Sequence, residues 1–185
     1  MKKKVKIYAC YLLSLFFVAC SSNSIEKSMG KREAVLEEPT SEQLLKAQEN
    51  TVQQEKASIE SFIARCGWKM VETPSGLFYD IYYKTKGVKV ESGNAVQLKY
   101  TLALLNGVEI ANSDMKGLKT IIIGKTVVES GLLEALLKMR KGEKAHVVIP
   151  SHLGFGFSGD GDRIPAQATL IYDLTVEQVL IPPSS

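Results

Sequence analysis

After Gly67 the chain carries five segments that read as short strands and only one that reads as a helix, a proportion that leaves few architectures open. The strand candidates are Gly76 to Lys84, Ala95 to Leu105, Lys119 to Ile123, Lys144 to Ile149 and Leu170 to Leu180. Asn106-Gly107 is the strongest local signal among them, because Asn-Gly supplies the positive φ angles that a tight hairpin turn requires. The helix runs from Ser130 to about Arg140. Its Leu132, Leu133, Leu136, Leu137 and Met139 crowd one broad apolar face, and Gly142 stops the run. One apolar helix against mainly antiparallel strands is an α+β arrangement. Roughly a hundred residues are enough for it to close a single core.

A longer helix precedes this domain. Thr40 and Gln43 have capping-box spacing, and from Glu42 to about Arg65 there is neither Pro nor Gly. Leu45, Val52 and Ile59 recur every seven residues, while Ile59, Phe62, Ile63 and Cys66 form a denser stripe at the C-terminal end. The stripe is expected to dock on the following domain, with Trp68 plugging helix onto sheet. The sparser part is a surface through which two copies could form a homodimer, although two heptads do not define a coiled coil.

The N-terminus reads as an export signal. Met1 to Lys6 holds four lysines and no acid, Ile7 to Ala19 is apolar, and the run is shorter than the roughly 20 residues a spanning helix needs. Val18-Ala19-Cys20 resembles the lipobox of bacterial lipoproteins, which implies lipidation of Cys20 and a mature chain that begins there, anchored by lipid instead of a helix. The expected organisation is a signal over 1–19, a polar tether over 20–39, a helix over 40–66 and the strand-rich domain over 67–185. Cys10 leaves with the signal, so Cys66 has no partner for an intramolecular disulfide once Cys20 is lipidated. The four lysines leave too, taking the formal charge from +3 to −1. A nearly neutral chain with Lys and Glu intermixed gives no electrostatic reason to expect a nucleic-acid partner.

From Asn106 onward the motifs fall in a fixed order: the hairpin turn, Ile121-Ile122-Ile123-Gly124, the helix with Gly131 and Met139, and Gly142-Glu143-Lys144-Ala145. Ile149-Pro150, Gly154-Phe155-Gly156 and Ile164-Pro165 through Ala168-Thr169-Leu170 follow. With the Tyr100-Thr101 strand ahead of them, this order from about Gly93 to Val179 resembles the FKBP-type peptidyl-prolyl cis-trans isomerases. The preceding helix and the segment from Gly67 to Leu77 are similar to a lipoprotein subgroup that includes gliding-motility-associated isomerases. The resemblance implies an FKBP-like antiparallel sheet wrapped around a short helix, and an apolar pocket that receives a proline ring.

Carried onto this chain, the resemblance implies a catalytic set of Tyr100, Phe155, Ile164 and Tyr172. Ile110, Val128, Glu129 and Leu132 would contact substrate, with Leu132 as the floor. The other reading is that these are ordinary core residues. The departures from the family pattern are Ile110-Ala111 where Phe-Asp is usual, Lys119 where an aromatic often stands, Glu129 in place of Ile, and Leu132 in place of Trp. The implied function is prolyl isomerisation during folding of exported proteins at the cell envelope, on an outer membrane facing the periplasm or the surface. The partners would be proline-containing unfolded or folding polypeptides, and the membrane through the lipid. The alternatives are a proline-binding chaperone that has lost catalysis and an envelope assembly lipoprotein that works through its helix.

Other signals are weaker. Gly154 to Gly159 fits G-x-G-x-x-G but leads into Asp160-Gly161-Asp162 and not into a helix, which argues against a dinucleotide. Asp160 and Asp162 read as a solvated loop, and His146 and His152 lack ligands at metal spacing. No cofactor and no metal is expected.

Overall fold

The computed structural model describes residues 40–181; the proposed signal, Cys20 and the tether lie outside them. Helix α1 spans Ser41–Cys66. Its capping box is complete: Thr40 Oγ1 accepts from the Gln43 N–H at 3.4 Å, and Gln43 Oε1 accepts from the Thr40 N–H at 2.9 Å. Gly67 closes it in the left-handed conformation at φ 68°.

The strands are β1 (Val71–Glu72), β2 (Phe78–Tyr83), β3 (Ala95–Leu104), β4 (Glu109–Asn112), β5 (Lys119–Ile122), β6 (Lys144–Ile149) and β7 (Leu170–Leu180). They form one antiparallel sheet in the order β1-β2-β6-β7-β3-β4, with β5 also beside β3. The outer edge of β3 is shared between β5, at Ala95 to Leu98, and β4, at Thr101 to Ala103. A short helix α2, Ser113–Lys116, connects those two strands, and helix α3 spans Ser130–Lys138.

Period-two alternation divides the strands between two clusters. Ala145, Val147 and Ile149 of β6 and Leu170, Tyr172, Leu174 and Val176 of β7 face α3, whose Leu132, Ala135 and Leu136 are buried with them. Gly131 lets α3 approach closely, since a Cβ there would lie 2.5 Å from Ile149 Cγ2. On the opposite face, Phe78, Val148 and Ile171 receive Ile59 of α1, with Phe62, Ile63 and Trp68 beside them. The sheet therefore carries a helix on each face.

The heptad in α1 is not one buried stripe. Ile59 is 1% exposed, whereas Leu45 and Val52 are exposed, as is Cys66. Glu55 adds a polar tie to the domain: it accepts from the Ser151 N–H at 2.7 Å, the Ser151 hydroxyl at 2.9 Å and the Thr169 hydroxyl at 2.7 Å. Trp68 stacks on His146, ring centroids 4.2 Å apart, and Tyr82 stacks on that imidazole at 4.4 Å.

Burial holds the His146 pKa below its ordinary value, outweighing the attraction of Asp173 and Asp80. The unfolded chain then binds more protons than the folded one as pH falls past the unfolded value of about 6.5, so folding stability drops with acidification in that range. Urea unfolding at pH 7.5 and 5.5 should show the fall, and His146→Gln should show a smaller one. An equal fall in both proteins would contradict the assignment.

Several local expectations are corrected. Helix α3 ends at Lys138, before Gly142, because Met139 turns extended into the core and Arg140 pairs with Lys89. Leu137 is exposed, so the apolar face is narrower than its leucines suggest. At the β3–β4 hairpin only Gly107 has positive φ, at 87°. Asn106 instead accepts from the Val108 N–H through its side chain, as suits a longer hairpin loop with one left-handed glycine.

Candidate active site

Strand pairing brings the aromatic residues together. Tyr172 of β7 lies opposite Leu102 of β3, and Tyr100 is two residues away on the same face, which sets the two tyrosine rings 6.3 Å apart at 51°. Ser113, buried at the start of α2, holds the β3 backbone there: its hydroxyl accepts from the Tyr100 N–H at 3.1 Å and donates to the Tyr100 carbonyl at 3.3 Å.

Ile110 reaches the same space by an irregularity. Ala111 pairs with Leu102 and Glu109 with Ala103, so Ile110 is an extra residue in β4, and the bulge re-aims its side chain inward. Leu132, fully buried on α3, belongs to the same cluster, while the loop after β6 contributes half-buried Phe155 and buried Ile164. Tyr100, Ile110, Val128, Leu132, Phe155, Ile164 and Tyr172 thus belong to one apolar cluster, in which Ala111 also packs.

Glu129 is the polar member of the group. It is the N-cap of α3, yet its side chain makes no capping bond. Its Oε1 instead accepts from the Tyr172 hydroxyl at 2.9 Å, and the residue is only 8% exposed. Burial and the Glu129 charge push the Tyr172 phenol far above its ordinary pKa, so it stays a donor. Among the described residues nothing accepts from the Glu129 N–H.

The residues that hold the Phe155 to Pro165 loop were not anticipated. Asp160 Oδ1 accepts from the Asp162 N–H at 2.9 Å and the Ile164 N–H at 2.7 Å, and these backbone bonds hold its pKa below the ordinary carboxylate value. Arg163 donates to the carbonyl oxygens of Ile110 and, at 2.9 Å, Glu109, clamping the loop onto β4. The Asp-Gly-Asp stretch is therefore a folded turn that sets Ile164, and an Asx-type carboxylate two and four residues before the donating amides was the available signal. Among the described residues no group of three His, Cys, Asp or Glu side chains is placed to hold a metal.

A fold of this kind, with an apolar cluster between a short helix and a half-wrapped sheet, defines a class, and the comparisons with known proteins agree. The model of the family described as "FKBP-type peptidyl-prolyl cis-trans isomerase" matches residues 86–177. An FK506-binding protein of Neisseria meningitidis is 32% identical over 105 residues, covering 56% of this chain and 96% of that protein. The chain belongs to the FKBP-type peptidyl-prolyl cis-trans isomerase family, whose members isomerise X-Pro bonds.

Within the family it is FkpA-like. FkpA of Buchnera aphidicola from Acyrthosiphon pisum is 32% identical over 161 residues, 86% of this chain and 65% of that protein. The crystal structure of FkpA from Escherichia coli superposes with a TM-score of 0.63 at 26% identity, covering 76% of this chain and 65% of that one. A probable FKBP-type isomerase of Haemophilus influenzae is 36% identical, and the chain spans 44% of its length.

Proposed function

We propose that the protein is a peptidyl-prolyl cis-trans isomerase that assists the folding of exported polypeptides at the cell envelope, held to a membrane by a lipid on Cys20. The observation that carries the catalytic part is the convergence of Tyr100, Ile110, Val128, Leu132, Phe155, Ile164 and Tyr172 on one apolar cluster beside the Glu129 N–H. The lipid and the envelope setting rest on the sequence before Ser21.

Rotation about an X-Pro bond breaks amide resonance, against a barrier of roughly 18–20 kcal/mol. The planar amide is more charge-separated than the twisted one, so an apolar enclosure raises the planar state relative to the twisted one. Tyr100, Phe155 and Ile164 supply that enclosure, and Leu132 limits its depth. The Glu129 N–H is a fixed donor for a carbonyl beside the rotating bond, and a fixed donor does not have to reorganise as the bond turns. No nucleophile or cofactor enters. Uncatalysed isomerisation takes tens to hundreds of seconds, which gives such an activity its use during folding.

The test is the cis-to-trans rate of an X-Pro peptide with the full-length protein in detergent. Catalysis above background is expected, with kcat/KM at least about tenfold lower for Phe155→Ala, since truncation opens the enclosure to water. No acceleration across a panel of residues before the proline would overturn the isomerase.

A second reading, a proline-binding chaperone without catalysis, is supported by Ala111 standing where the family usually has Asp. A groove of about 460 Å³, lined in part by Leu44, Val52 and Phe157, also supports it by offering an apolar grip on extended chain. Exposed Leu45 and Val52 support homodimer formation through α1.

A further inference from the structure

We propose that Glu129 supplies the negative charge of the proline pocket and selects substrates with a lysine or arginine next to the proline. The inference rests on the isomerase reading for the identity of the pocket, and adds to it the charge of the preferred substrate.

A carboxylate that is more than nine-tenths buried normally has a cation or several donors. Glu129 has one donor, the Tyr172 hydroxyl, and among the described residues no Lys, Arg or His nitrogen lies within 4 Å of it. At an N-cap its carboxylate could have folded back onto the first turn of α3, but it makes no such bond. Among the described residues the only fully buried side-chain polar atom without a partner is His146 Nδ1, so Glu129 Oε2, which has no partner either, keeps some contact with solvent. One oxygen is thus anchored by Tyr172, and the other is left free to accept. The Arg163 guanidinium is held by the Ile110 and Glu109 carbonyls and forms no ion pair with Glu129. A substrate ammonium or guanidinium brought there would gain a charge-assisted hydrogen bond in a partly desolvated setting, and a substrate carboxylate would be repelled.

The experiment compares kcat/KM for otherwise identical peptides with Lys, Leu or Glu beside the proline, using the full-length protein in detergent and its Glu129→Gln variant. The amide can still accept from Tyr172, so the pocket geometry is kept while the charge is removed. The wild type should favour the Lys peptide over the Glu peptide by about tenfold at low salt, the order expected for a partly buried ion pair. That ratio should fall to within about twofold in Glu129→Gln, and should shrink in the wild type at 0.5 M salt. The salt series needs no variant, so it decides the matter even if Glu129→Gln folds poorly. An unchanged ratio in a folded variant, or a wild-type preference for the Glu peptide, would overturn the assignment. If no peptide is turned over, the isomerase reading fails by itself, and the charge preference is then read from peptide affinities by fluorescence titration. Equal affinities, or no binding of either peptide, would overturn it.

Discussion

Leu132→Ala is expected to destabilise the folded domain by about 3 kcal/mol, within the range for emptying a fully buried leucine site. Leu132 has no exposed surface and sits on the face of α3 turned to the sheet, in the core cluster that also holds Ile110 and Tyr172. Urea unfolding followed by circular dichroism would measure the loss. Leu132→Met keeps the volume, and its cost should remain below about 1.5 kcal/mol. A loss under about 1 kcal/mol for Leu132→Ala would mean that the core closes over the gap.

Gly159→Ala should damage the site from a different direction. A Cβ at Gly159 would stand 2.2 Å from the Ile164 carbonyl oxygen and 2.8 Å from the Pro165 carbonyl carbon, both backbone atoms that cannot swing aside as a side chain can. The residue also has φ +66°, a left-handed conformation that costs an alanine about 1–2 kcal/mol. Clash and conformation together should cost about 2–3 kcal/mol and displace Ile164. Prolyl turnover should fall further than the stability loss accounts for. Gly161→Ala separates the two causes, because Gly161 has φ +76° but nothing within 4 Å of the added Cβ. It should show the conformational cost alone, about 1 kcal/mol, with turnover largely retained. Equal losses for the two variants would mean that the close approach of Gly159 to Ile164 does not hold the loop.

The two variants also mark how far the site could be read before the structure. Leu132 was legible because helical periodicity put it on the apolar face of α3, and a fully apolar face has to be buried. Tyr100 and Tyr172 were placed in the site by the family resemblance, and the pairing of β3 with β7 puts them on one face. Ile110 was not legible by alternation along the strand. It faces inward through a bulge, and a bulge depends on the pairing of β4 with β3, not on β4 itself. Asp160 read as part of a solvated loop and Gly159 as one glycine of the Gly154 to Gly159 stretch, and their roles come from amides and carbonyls several residues away that meet only when the turn folds. Arg163 carried no signal, because its acceptors lie more than fifty residues earlier on another strand.

Glu129 shows the division most clearly. In the sequence it is a charged residue at a helix start, where a carboxylate commonly caps the first turn. The tertiary fold places the Tyr172 hydroxyl within reach, and in a site of low polarity a fixed phenolic donor competes successfully with solvated capping amides.

By itself the sequence determined the elements and their faces: the capped α1, the single apolar helix after it, the long alternating strands, and the family motifs that order them. These follow from local propensity, periodicity and turn chemistry, which act over a few residues. Only the tertiary structure decided the β4 bulge, the clamp of the loop by Asp160 and Arg163, the tie of α1 to the domain through Glu55, and the inward turn of Glu129. Each of those depends on hydrogen-bond or packing partners far away in the chain, whose positions exist only once the sheet has closed.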